Sequence, residues 1–270
     1  MNDLIHYLLL AILQGISEIL PISSSGHLAL YQAIFNVNQG NEGTFSILLH
    51  AGSLLAFLVY FFPLLWRLFT SFLGFIQGQR NERIQEDMSL LRYWIIATLP
   101  AAFIGVFISD WIDAIFQNLV FVGVGFLFTS GLLLLVNFLA SNTKKTTYSL
   151  RSSLGAGLAQ MLGIFPGISR SGSTISGALL TGLSLDKAKE LSFLMFLPLS
   201  AGSLLLSFDT FVRVETSTLW LMLLATVVST LVTWVTLHLV LKHLKVKHFP
   251  YFSLYLILLA LLTFTIAWLP

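Results

Sequence analysis

The chain has 270 residues, a net charge of +2, 56% hydrophobic residues and only 10% charged ones. Soluble domains carry about a quarter charged residues, so this composition excludes an ordinary soluble domain and points to an integral membrane protein. The small net charge, with no basic cluster interleaved with aromatics, argues against a nucleic-acid partner. The absence of cysteine removes disulfides and thiolate metal ligands.

In chain order, residues 4–35 are apolar but broken by the polar run PISSSGH at Pro21–His27. No positive flank or small-residue cleavage site marks a signal peptide, and Gln14 and Glu18 interrupt the apolar run, so this segment is expected in the mature fold. Full spans follow at 45–65, 93–109 and 118–140. The mixed-charge stretch Gln79–Arg92 between the first two reads as an amphipathic connector. Residues 152–185 are again apolar and broken, by PGISRSGST at Pro166–Thr174, and further spans follow at 191–208, 217–241 and 250–269. Strand-like alternation is missing, which argues against a β-barrel.

The two broken segments match each other. Ser23 pairs with Ser169 at an offset of 146 residues, and Gln14 pairs with Gln160 at the same offset. AGSLL at Ala51–Leu55 recurs at Ala201–Leu205, where close helix packing explains the small residues. Each arm of a broken segment is roughly 12–17 residues, short for a crossing of about 20 and suited to re-entry. The expected fold is therefore an all-α integral membrane protein, with six transmembrane helices plus two re-entrant helix–loop–helix hairpins arranged as inverted-topology repeats. It forms a single membrane domain over residues 1–270. Repeat one covers about 1–140 with its hairpin at 4–35, and repeat two about 152–270 with its hairpin at 152–185. Reading every broken segment as full crossings instead would give roughly eight to ten spans.

Lysine and arginine support the six-span layout. With 66–92, 141–151, 186–190 and 242–249 inside, twelve of the fourteen basic residues lie inside; Arg213 lies outside and Arg170 sits in the second motif. Both termini then face outward, and the first hairpin enters from outside while the second enters from inside.

Ionisable groups buried in spans default to functional roles. Glu18 and Arg170 are the two well inside apolar sequence, each beside a polar loop. Gln14 and Glu18, four residues apart, share one helix face. The loops have the composition of an anion cradle, with glycines for close backbone approach, hydroxyl donors and a guanidinium suited to phosphate. Ser23, Ser24, Ser25 and Gly26 would contribute from the first loop. Gly167, Ser169, Arg170, Ser171, Gly172, Ser173 and Thr174 would contribute from the second. For phosphoryl transfer, Arg170 would stabilise charge, Ser24 or His27 would act as nucleophile or acid, and Glu18 would act as base or divalent-cation ligand, with Gln14 in support. A plain ion pair joining the hairpins is the structural alternative. A transporter or flippase of an anionic lipid or anion is the functional one. His50 reads as a hydrogen-bonded core histidine or a supporting partner.

The segments QGISEILPISSSGH, LLHAGSLLAFLVYF, TLPAAFIG and PGISRSGSTISGALLTGLS together resemble the undecaprenyl-pyrophosphate phosphatase family, also called the bacitracin-resistance protein family. The resemblance covers nearly the whole chain. It implies dephosphorylation of a polyprenyl pyrophosphate to the monophosphate carrier, at a site facing the outer side of the bacterial cytoplasmic membrane. It also implies a divalent cation, Mg or Ca, held in part by Glu18. The first family motif position takes Glu or Gln, and Gln14 here removes one carboxylate from any metal site. Oligomeric state stays open at this stage, with a homodimer among the expectations.

Overall fold

The computed structural model describes residues 2–35, 42–116, 118–139, 145–206 and 216–268. Its helices are α1 (Asn2–Ser17), α2 (Ser24–Phe35), α3 (Glu42–Ile76), α4 (Glu82–Phe116) and α5 (Leu119–Leu139). The second half supplies α6 (Leu150–Leu162), α7 (Arg170–Leu180), α8 (Leu185–Leu206), α9 (Thr216–His243) and, after a 3-10 turn, α10 (Phe249–Ala267). Among the described residues, six stretches are long and apolar enough to cross a membrane: 45–76, 82–105, 119–139, 185–206, 219–243 and 246–267. Large apolar side chains such as Phe103, Phe107, Leu205 and Trp220 face outward, as a lipid solvent permits.

The two broken segments form helix–loop–helix pairs, α1–α2 and α6–α7, whose lengths are compatible with re-entry. His6 near the start of α1 hydrogen-bonds the Tyr31 hydroxyl at 2.8 Å and packs against Phe35 at the end of α2, so the outer ends of the pair meet. Proline breaks each segment, because the residue before it is pushed out of the helical region; Pro21 and Pro166 stand in the two turns.

Two helices of the first half pack antiparallel on two helices of the second. On α5 and α10, Gly123 lies against Phe264 while Ser130 bonds Ser253 at 2.6 Å. On α3 and α8, Phe57 packs on Phe193, and Ile47 and His50 share a cavity with Ser203 and Leu204. The first arm of each hairpin also crosses over: α1 packs on α9 and α6 on α4. Interhelical hydrogen bonds contribute about 0.6 kcal/mol in a bilayer, and small residues add close packing, Gly15 on Val232 and Gly52 on the Thr226 carbonyl. The second AGSLL echo differs, since Gly202 faces open space.

Two segments read as connectors are helical. Residues 66–76 extend α3, and Glu82–Arg92 forms the first turns of α4. Charged residues are good helix formers once outside lipid, and Asp87 secures the extension by accepting from Ser71 at 2.6 Å and pairing with Arg67 at 3.1 Å. The basic ends gather on one face: the Lys189 ammonium at the start of α8 donates to the Leu241 carbonyl at the end of α9 at 2.8 Å. The expected outside connections fall largely outside the described residues, as do Arg213 and Lys144.

The chain is cysteine-free, so single cysteines at Asn2 and Phe35 test the hairpin directly. Both are expected to react with a membrane-impermeant maleimide from the same side of oriented vesicles. Labelling from opposite sides would make α1–α2 a full crossing.

Candidate active site

The two hairpin turns bring the starts of α2 and α7 to one cavity of about 280 Å³. Ser23 caps α2, its hydroxyl accepting from the Gly26 amide at 3.3 Å, and Ser169 caps α7 by accepting from Gly172 at 3.1 Å. The amides of Ser24, Ser25, Arg170 and Ser171 have no protein acceptor among the described residues. Two helix N-termini therefore present free N–H groups and their partial positive charge to one space, the arrangement that binds anions.

Glu18 is the hub of the polar groups there. Its Oε1 accepts from the Arg170 guanidinium, while its Oε2 accepts from Ser24 at 2.6 Å and from the Gln14 amide at 2.8 Å. The carboxylate is buried, and the guanidinium lies 3.9 Å over the Phe196 ring, leaving other N–H groups of Arg170 for a ligand. Glu18, Ser23, Ser24, Ser25, Ser169 and Arg170 all line the cavity. An apolar side made by Ile47, Ile164, Ile168, Phe196, Leu199 and Leu204 completes it.

Other motif residues build the frame and lie off the cavity. Ser171 donates to the Leu20 carbonyl at 3.1 Å, tying the second loop to the first. Thr174 donates to Gln160 at 3.0 Å inside its own hairpin, and Ser173 is fully buried. Gly26 packs against Phe126; Gly172 lies against Ser169; Gly167 takes a left-handed turn at φ +79° against the Val122 carbonyl.

His27, expected beside Ser24 as nucleophile or acid, does not line the cavity. One ring nitrogen, Nδ1, donates to the Ser23 carbonyl at 2.7 Å, and Nε2 accepts from the Tyr255 hydroxyl at 2.8 Å. Both nitrogens are thus engaged, and the ring holds Ser23 in its unusual backbone conformation, φ +69°. His50 does line the cavity, with Nδ1 3.1 Å from the Gln14 amide and 3.4 Å from Glu18. Ser200, Ser203 and Phe196 from α8 are further residues that the motif reading missed. None of these carried a signal, whereas His50 did, as an ionisable group within a span.

No three His, Asp or Glu side chains cluster among the described residues. Glu18 is the one carboxylate at the cavity. A magnesium ion that keeps several waters and binds through one or two carboxylates plus substrate phosphates needs no larger protein set, so the residues fit a cation taken up with an anionic substrate.

Fold and site together define a polytopic membrane protein with an anion cradle and a carboxylate–hydroxyl pair buried between two helical hairpins. The chain belongs to the family of the bacitracin resistance protein BacA, which matches residues 7–262. It is 35% identical over 263 residues to undecaprenyl-diphosphatase 2 of Bacillus thuringiensis (strain Al Hakam), covering 96% of each chain. It is 37% identical to undecaprenyl-diphosphatase 1 of Bacillus licheniformis, over 93% of this chain and 94% of that one. It is 40% identical to an undecaprenyl-diphosphatase of Korarchaeum cryptofilum over 206 residues, 76% of this chain and 77% of that one.

α5 braces both loops, so Gly125, which lies against Pro166 and Gly167, has no room for a side chain. Gly125→Ala is expected to destabilise the detergent-solubilised protein by about 1–3 kcal/mol, read as a lower melting temperature.

Proposed function

We propose that the protein hydrolyses the terminal phosphoanhydride of undecaprenyl pyrophosphate, releasing phosphate and leaving the lipid monophosphate carrier. The observation that carries this reading is the Ser24–Glu18–Arg170 chain of contacts, set at two helix N-termini in one cavity. The names of the relatives support it. In this scheme the spare Arg170 donors and the free amides hold the phosphoryl oxygens, where charge accumulates in the transition state. The Ser24 oxygen attacks the terminal phosphorus as its proton passes to Glu18, and the bridging P–O bond breaks to release the lipid monophosphate. Water then cleaves the phosphoserine. A divalent cation bound with the substrate, Glu18 being its protein ligand, would neutralise phosphate charge. The apolar side of the cavity suits the first isoprene units.

The same geometry supports an outward-facing site. The cavity uses the beginning of α3 and the end of α8, opposite the basic ends of α3, α8 and α9. Basic ends mark the inside, so the site belongs to the outer half of the bacterial cytoplasmic membrane. The two antiparallel halves are the proposed repeats, meeting at the site.

Purified protein is expected to release phosphate from undecaprenyl or farnesyl pyrophosphate, and to stop when divalent cations are chelated. Glu18→Gln and Ser24→Ala should each lose about 100-fold or more in kcat. Arg170→Lys should fail nearly as badly as Arg170→Ala, because an ammonium lacks the planar fork. Acid quenching with labelled substrate should trap an acid-stable phosphoserine. An acid-labile adduct lost in His27→Ala would return the nucleophile to His27, and no phosphate release with any divalent cation would favour transport of an anionic lipid.

A further inference from the structure

His50 is the one ionisable group among the described cavity-lining residues to which the proposed reaction gives no role. It projects from α3 with about a third of its side chain open, 34%. Gln14 decides which ring nitrogen carries the hydrogen. Its Nε2 lies 2.8 Å from the Glu18 carboxylate and 3.1 Å from His50 Nδ1. Exchanging the amide oxygen and nitrogen would set two acceptors against each other at Glu18, so the nitrogen must face the carboxylate. An amide NH2 has two hydrogens: one goes to Glu18, and the other points to His50 Nδ1, which accepts it.

A competing contact exists, since Nδ1 is also 3.4 Å from Glu18 Oε2. That oxygen already accepts from Ser24 and Gln14. A hydrogen on Nδ1 would also oppose the amide hydrogens of Gln14. The neutral imidazole therefore carries its hydrogen on Nε2, which has no protein acceptor among the described residues. The result is a free N–H donor on a residue that lines the same cavity as Arg170.

We propose that His50 binds substrate, its Nε2–H donating to a non-bridging oxygen of the phosphate held by Arg170, and that Gln14 fixes His50 in this donor tautomer. The proposal deepens the phosphatase reading and rests on it for the identity of the ligand, a pyrophosphate ester. Gln14 is then a positioning residue, and the missing carboxylate at its position has a consequence: the site gains an oriented neutral donor.

The full-length protein is tested in detergent with farnesyl pyrophosphate for turnover and its methylene-bridged diphosphonate analogue for binding. His50→Phe keeps the ring and removes the donor; it should weaken analogue binding and lower kcat/KM about 10- to 100-fold, the range for a hydrogen bond to a charged group. His50→Gln restores an N–H donor and should recover most of that loss. His50→Phe within threefold of the parent overturns the proposal. So does a His50→Gln that stays as poor as His50→Phe while both elute and melt like the parent, since that pattern marks a packing role. Nitrogen-15 spectra of histidine-labelled protein, with the signals of His50 found by their loss in His50→Gln, should show Nδ1 unprotonated; a protonated Nδ1 overturns the tautomer assignment. Analogue binding without any phosphate release would defeat the hydrolysis reading alone, leaving the His50 contact to stand or fall on the binding data.

Discussion

The ion pair of Glu18 with Arg170 joins the two hairpins, and the rest of the site is arranged around it. Burying two charges costs several kcal/mol each, and attraction repays this only when the remaining lone pairs and protons are satisfied. Glu18 meets that condition through Ser24 and Gln14, while Arg170 lies over the face of Phe196 and keeps further N–H groups for a ligand. The free amides of α2 and α7 add positive potential beside the pair, which favours the carboxylate and makes the space around it receptive to a second anion. Arg170 serves the ion pair through one N–H and keeps others that a phosphate would use, so pairing and anion binding would share one guanidinium.

The sequence correspondence between the two broken segments is informative chiefly where it fails. At the offset of 146, Ser24 corresponds to Arg170, Glu18 to Ile164, and His27 to Ser173. Equivalent residues near a two-fold axis approach one another, so a symmetric acid or a symmetric base would face its own charge in a low dielectric. Placing the acid in one repeat and the base in the other converts that repulsion into attraction. The glutamines diverge similarly: Gln160 accepts from Thr174 within its own hairpin, while Gln14 serves Glu18 and faces His50.

The offset, the broken segments and the lone charges made the hairpins and the Glu18–Arg170–Ser24 grouping legible from sequence, because each is a departure from apolar pattern. The placement of His27 and His50 was not. Sequence separation ranks His27 near Ser24, yet one helical turn carries its ring between α5 and α10, where Phe126 and Tyr255 enclose it. His50 reaches the site from a separate helix, and Ser200 and Ser203 from α8; such convergence depends on how α3 packs on α8, which no local pattern encodes. The helical extensions at 66–76 and 82–92 were hidden for a different reason, since hydropathy marks where lipid ends and not where a helix does.

Neither hairpin could hold these positions alone, and α5 supplies what they lack. Phe126 packs on Gly26 and the His27 ring in the first hairpin. One residue earlier, Gly125 seats the Pro166–Gly167 turn of the second, and the Thr129 hydroxyl accepts from the Ser169 amide at 3.0 Å. A single rigid helix thus fixes the distance between the two loops. Its antiparallel partner α10 contributes Tyr255, which locks His27, and through it the left-handed turn at Ser23. A serine in that conformation persists only where its surroundings over-determine it. The strain is useful here, because the turn at Ser23 sets where α2 begins and therefore where the Ser24 hydroxyl meets Glu18. The placement of the Ser24–Glu18 contact derives from the α5–α10 pair, which makes the site a property of the whole bundle and not of its two motifs.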